Sequence, residues 1–214
     1  PAGIEAPLLV VHDEQELERR KAEARDRIVL FNNPMPAWTP EHGSRYGETV
    51  RFRSRGPELA AAVGAWAVLV RSVTAHSLAS PHTGATHYAN DLPRLPAAAV
   101  STEHADLLDR LAREGPVRLR LTMAAHHEAP AQSANVVAEL RGRERPDEVV
   151  VIGGHLDSWD VGQGAHDDGA GVAHAIEALR LLRWARLRPP AHRNSATARP
   201  TTSSASIRMP TTMA

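Results

Sequence analysis

The chain has 214 residues, enough for one large domain or one domain and part of another. Its 25 basic and 25 acidic side chains cancel, which argues against a nucleic-acid binder, since such proteins carry a clear basic excess. The absence of cysteine excludes disulfide scaffolds, thiolate metal sites and cysteine nucleophiles, and no apolar run approaches the roughly 18–20 residues that span a bilayer.

Residues 7–12 form a short β-branched run that predicts a strand. The Glu/Arg-rich stretch 13–26 predicts a solvent-exposed helix capped by Asp13, and 27–31 predicts a second strand stopped by Asn32-Asn33-Pro34. The pattern so far is β-α-β. Residues 34–48, rich in Pro, Gly and polar groups, read as a surface loop. Pro57 then suits a first helical turn, so a helix is expected over 58–64 with Gly64 as its stop. Residues 66–73 predict an apolar strand, and 74–95 a long loop whose His82 and His87 would shape a cleft or a subunit contact, or simply lie exposed. A strand is expected at 97–100, then a helix over 103–113 that sets Leu107, Leu108 and Leu111 on one side. The alternation Val117-Arg118-Leu119-Arg120-Leu121 predicts a half-buried strand.

The loop 124–133, which contains His126-His127, marks a boundary. Two strands are expected after it, at 135–140 and 148–152, joined by the turn-forming 141–147. A glycine-rich loop covers 153–171 and an apolar helix runs over about 172–184. From Leu187 onward the chain has nine Ser/Thr, four Pro and few large apolar residues, so disorder is expected over 187–214. The charges divide shortly before that tail. The last acidic residue is Glu177 and seven arginines follow it, so the first 177 residues carry net −7 and the last 37 carry +7. Chemistry that needs a carboxylate is therefore complete by position 177.

The chemically informative segment is 149–171. A strand of β-branched residues ends at Gly153-Gly154 and delivers His155 and Asp157 to its C-terminal edge, where open α/β sheets place ligand sites. Asp157, two residues on, suits a role orienting a metal-bound imidazole. Asp167, at the mouth of the next helix, is placed to bridge two metal ions, and the flanking glycines allow tight backbone turns beside it.

Gly153-Gly154-His155-Leu156-Asp157-Ser158-Trp159-Asp160-Val161-Gly162-Gln163-Gly164-Ala165, followed by Asp167-Asp168-Gly169, resembles the carboxypeptidase Q family of co-catalytic zinc exopeptidases. Upstream, Arg71-Ser72-Val73, Ser80-Pro81-His82-Thr83-Gly84 and Leu95-Pro96-Ala97 resemble the protease-associated domain inserted in those enzymes. The resemblance implies an α/β chain: a protease-associated β/α domain over 1–132, an incomplete zinc-peptidase α/β domain over 133–186, and the disordered tail. It further implies hydrolysis of dipeptides or short peptides at a site holding two zinc ions, with His155 and Asp167 as metal ligands and Asp157 as the catalytic residue that tunes His155. Homodimerisation and a secreted or periplasmic location are also implied, although the chain as given shows no signal peptide.

The sequence departs from the family after Glu177. The resemblance places a Glu-Glu pair, which supplies the general base and a further ligand, on a strand beyond the helix at 172–184, yet no Asp or Glu follows. A truncated chain with an out-of-frame tail is the expectation, inactive by itself. The alternative is a non-catalytic protease-associated-type interaction or gating module. His174, about 10 Å along the helix from Asp167, and His166 read as non-ligands, and Trp159 as either a pocket wall or an anchor of its loop. The plainer reading of the motif, a strand-end His and two loop acids, does not account for the surrounding glycines or the length of the match.

Overall fold

The structure, a computed structural model, describes residues 3–76, 79–126, 129, 131–159, 162–187 and 191–195. It divides into two units, Pro1–Ala125 and His126–Ala214.

The first unit runs β1 (Ile4–Val11), α1 (Glu14–Arg19), α2 (Lys21–Ala24), β2 (Ile28–Phe31), α3 (Tyr46–Thr49), α4 (Arg51–Ala62), β3 (Ala67–Arg71), β4 (Ala97–Val100), α5 (Thr102–Glu114) and β5 (Arg118–Leu121). The sheet order is β4-β3-β2-β1-β5, with β1 to β4 mutually parallel and β5 antiparallel to β1. Because side chains alternate across a strand, the sheet builds two apolar layers. Leu9, Val11, Val29, Phe31, Val68 and Val70 face a cluster with Leu17, Phe52 and Ala60, while Leu8, Val10, Ile28, Leu30 and Leu69 face the layer that receives Leu108 and Ala112 of α5. A parallel sheet covered on both faces is written as continuous apolar runs rather than as alternation, which is why all four residues of β2 are buried.

Asp13 caps α1 as expected, accepting the Glu16 N–H at 2.6 Å. The single helix expected over 13–26 is broken at Arg20, whose backbone leaves the helical region at φ −107° and ψ 17°. Residues 46–49, expected to be loop, form α3. The helix expected over 58–64 begins at Arg51 instead, with Pro57 in its interior. Pro57 deletes the one helical N–H aimed at Arg53. Gly56 beside it lets α4 lie against Phe31, whose ring an added Cβ would approach to 3.3 Å. In α5 the expected leucine side is rotated. Leu107 is 40% exposed, and the buried face is Thr102, Ala105 and Asp109.

The second unit contains β6 (Ala138–Leu140), β7 (Arg145–Ile152), α6 (Ala170–Trp184) and β8 (Ala191–Ser195). Its sheet order is β6-β8-β7, with β8 parallel to β7 and antiparallel to β6. The sequential strands β6 and β7 are therefore separated by a strand, and that strand lies in the stretch expected to be disordered. The expectation fails for Ala191–Ser195, because hydropathy reads side chains while a ladder is held by backbone groups. Here β8 satisfies the facing edges of two strands at once, with His192 opposite Val149 and Ser195 opposite both Ile152 and Ala138. The rest of the expected tail, 188–190 and 196–214, lies outside the described residues.

Candidate metal centre

β7 ends at Ile152, and the chain passes through Gly153-Gly154 to His155. Gly154 is required by contact. A Cβ there would stand 2.6 Å from the Val172 amide nitrogen and 2.7 Å from an Asp168 carboxylate oxygen. The absence of a side chain thus lets the strand end touch the start of α6. Between Gly164 and α6, residues Ala165–Gly169 form a wide turn in which Asp167 (φ −115°, ψ 89°) and Asp168 (φ −134°, ψ 32°) leave helical geometry. The two neighbouring carboxylates consequently point to different partners.

Asp167 meets the imidazole, with its Oδ1 2.9 Å from His155 Nε2. Asp168 holds the backbone, accepting the His155 N–H and the Gly171 N–H, each at 3.1 Å. On the other side of the ring, His155 Nδ1 lies 2.9 Å from the Asp157 carbonyl oxygen and 3.3 Å from its Oδ1. A carbonyl oxygen only accepts, so Nδ1 carries the proton that it donates to Asp157, and the Nε2 side is turned toward Asp167. Partial desolvation pulls the His155 pKa down, but the Asp157 carbonyl bond, the Asp167 carboxylate bond and both acidic charges outweigh it. The result lies above the ordinary 6.5.

His155, Asp157 and Asp167 are thus brought together. Asp168, which the sequence reading did not single out, is the fourth member, and it clamps the strand end to the helix. Its signal was present in the glycines around it, since Gly154 and Gly171 are the residues whose added Cβ atoms would strike the Asp168 carboxylate. His166 and His174 are exposed and do not join the pair. Trp159 is 49% exposed. In the first unit the His82 N–H bonds Ser72 Oγ at 2.8 Å and the His87 N–H bonds the Ser54 carbonyl at 2.7 Å. Of the boundary pair, His127 lies outside the described residues.

A neutral imidazole nitrogen and a carboxylate oxygen are the donor types zinc takes; His155 Nε2 and Asp167 Oδ1 lie 2.9 Å apart, and once Nε2 gives up its proton both could face one ion. Among the described residues no group of three or more His, Cys, Asp or Glu side chains surrounds a metal position. The pair therefore fits zinc as part of a ligand set and does not close one.

Residues 135–194 match the sequence pattern of peptidase family M28. The match includes most of β8. Carboxypeptidase Q of Xenopus laevis is 46% identical over 188 residues, 87% of this chain and 38% of that protein. The human carboxypeptidase Q is 44% identical over 190 residues, 88% of this chain and 39% of that protein. Among solved structures, a peptidase M28 precursor from Shewanella amazonensis superposes with a TM-score of 0.81 at 34% identity, covering 92% of this chain and 45% of that one. The chain is therefore similar to carboxypeptidase Q over most of its own length and to peptidase family M28 over residues 135–194, and it spans about two fifths of the length of the curated relatives it matches.

Proposed function

We propose that this chain is a segment of a zinc-dependent exopeptidase that hydrolyses dipeptides or short peptides, in which His155 and Asp167 are metal ligands and Asp157 positions His155. The protease-associated-type domain is 1–132, which contains the first unit, and 133–186 begins the catalytic domain. The observation that carries the reading is the meeting of His155 Nε2 and Asp167 Oδ1 at 2.9 Å at a strand terminus, with the opposite ring nitrogen held by Asp157.

When bound, zinc would polarise a scissile carbonyl and lower the pKa of a coordinated water. The chain's own residues do the positioning. Asp157 fixes the imidazole tautomer and ring angle, Asp168 ties the His155 backbone to α6, and Gly154 permits that approach. Proton acceptance from the attacking water needs a base beyond α6, and the sequence has no Asp or Glu after Glu177. The 214-residue polypeptide alone is therefore proposed to be inactive. Two ions per site, a homodimeric state and a secreted or periplasmic location complete the proposal. Among the described residues no helix is long and apolar enough to cross a membrane.

Zinc titration of the chain by calorimetry, with His155→Ala and Asp167→Ala beside it, tests the ligand assignment. Weak binding abolished by either substitution is expected, and binding unchanged in both variants would overturn it. Chelator-sensitive turnover of a dipeptide by the purified chain would overturn the inactivity.

A second reading has a specific observation in its favour: among the described residues, Ala175 is the one buried apolar residue of the second unit. The first unit is thus equipped to fold and act by itself as a non-catalytic interaction or gating module. Limited proteolysis separates the two, because a resistant core ending near 125–130 supports the module and one extending through 186 supports the peptidase segment.

A further inference from the structure

A cavity of about 530 Å³ opens in the first unit beside β1, within the size range of small-molecule sites, roughly 300–1,000 Å³. The sheet itself creates it. β5 opposes β1 only from Ile4 to Pro7. Past Val117, whose carbonyl accepts the Leu8 N–H at 2.8 Å, the chain passes through Pro116 and Gly115 to α5, so among the described residues the later half of β1 has no strand on that side. Successive peptide groups of a strand address opposite neighbours. The Val11 carbonyl accepts the Asn32 N–H at 2.8 Å, so Leu9 and Val11 serve β2 while Leu8 and Val10 face the cavity. The Val10 carbonyl is taken by Arg20 Nη1 at 3.0 Å. The Val10 N–H remains on that edge with no strand opposite, in a residue only 6% exposed.

The charged lining shows a second unspent donor. Arg20 is committed to Val10, Glu16 and Glu23, and Asp109 is shared by His12 and Arg113. Arg27 is half-buried at the cavity wall. It lies in the field of Glu23, but its guanidinium has no hydrogen-bond or salt-bridge partner among the described residues. A free N–H and a free guanidinium both call for oxygen acceptors, and the guanidinium calls for negative charge. With His12 neutral, Arg20, Arg27 and Arg113 against Glu16 and Asp109 leave a single positive charge, which suits a monoanion and disfavours a phosphate dianion. The planar guanidinium fork matches a carboxylate, and Leu8, Pro116 and Val117 offer an apolar wall to an attached side chain.

We propose that this cavity binds the carboxylate of a free amino acid or short peptide, with the Arg27 guanidinium and the Val10 N–H as its donors. The site belongs to the first unit and requires neither zinc nor hydrolysis, so its test is independent of the peptidase reading. The ¹⁵N-labelled 214-residue chain is titrated, with chelator present, with L-alanyl-L-alanine, its C-terminal amide and L-alanine. The Val10 amide resonance is expected to move with the dipeptide acid and not with the dipeptide amide. Arg27→Gln is expected to weaken binding about tenfold, the loss of one charge-assisted, partly solvated contact. Arg27→Lys, which keeps the charge and loses the fork, should fall between. Equal response to L-alanine identifies an amino-acid site, and response to the dipeptide alone identifies a peptide site; both support the proposal. It is overturned if Val10 moves with neither acid, if the amide binds as tightly as the acid, or if Arg27→Gln binds normally while its remaining spectrum matches the wild type.

Discussion

His12 stands at the end of β1 as a clasp between α1 and α5. Its Nδ1 lies 2.9 Å from Glu16 Oε2 and its Nε2 3.4 Å from Asp109 Oδ2. Desolvation lowers its pKa, but the bonds and charges of Glu16 and Asp109 prevail, so the folded value sits above 6.5. Burial raises the Glu16 pKa, yet its bonds to His12 and Arg20 prevail and hold it below 4.5. The signs follow by linkage. A raised histidine contributes stability that is complete below its unfolded pKa and is lost as pH rises through the folded one. A depressed glutamate contributes stability present above its unfolded pKa and lost as pH falls through the folded one. The clasp therefore contributes most between about pH 4.5 and 6.5. One bond is long and the His12 side chain is 43% exposed, so solvent screening reduces the pair to about 1 kcal/mol. That corresponds to a midpoint shift of about 5 °C for a unit of this size. Thermal unfolding of the wild type and His12→Gln, followed through first-unit amides at pH 5.5 and 8.5, isolates the term. The wild type should lose about 1 kcal/mol more than the variant between the two pH values. An identical pH dependence in both chains, or a wild type more stable at pH 8.5, would refute the clasp.

Phe31 is fully buried and its ring centroid is 5.4 Å from that of Phe52. Phe31→Ala should cost the first unit about 3–5 kcal/mol in urea unfolding, and a loss below 1 kcal/mol would contradict its central place in the core. At the strand end, Gly154→Ala would set a Cβ 2.6 Å from the Val172 backbone nitrogen. The expected result is about 1–3 kcal/mol of strain and faster amide exchange at the start of α6; unchanged exchange there would count against the close approach. Asp167→Asn removes one of the groups that raise the His155 pKa. The imidazole should then titrate closer to 6.5 in an NMR pH series, and a curve indistinguishable from the wild type would show that the 2.9 Å contact is not formed in solution.

What the sequence disclosed follows from which forces leave a trace in residue type. The runs that became β1, β2 and β3 were legible because burial on both faces fills their central positions with consecutive apolar residues. The Asp13 cap was legible because a short acceptor side chain before a charged helix has few other uses. The start of α4 was not, since a proline is most economically read as a first-turn residue, and only the packing of Gly56 on Phe31 shows why the helix passes through it. At the site, the strand-end glycines and the spacing to Asp167 drew attention to His155. Nothing in the pair Asp167-Asp168 tells which carboxylate meets the ring and which meets the backbone, because that choice is made by the dihedral angles of the turn.

The open sheet of the second unit and the incompleteness of the proposed ligand pair have a common physical explanation. Val149, Val150 and Val151 are 50%, 40% and 57% exposed, and since successive residues point to opposite faces, both faces of β7 are open. A β-branched run of this kind is written for a sheet covered on both sides, and the described residues cover neither fully. The elements that would cover such a sheet are also those from which further ligands could reach the strand ends. On the proposed ligand assignment, metal affinity and folding of this unit would be coupled: an ion held by His155 and Asp167 alone would also have to offset the ordering of a sheet that burial does little to stabilise. Zinc should accordingly raise amide protection in β7 and α6 while leaving the first unit unchanged. Protection rising equally in both units would show that zinc acts somewhere other than at this pair.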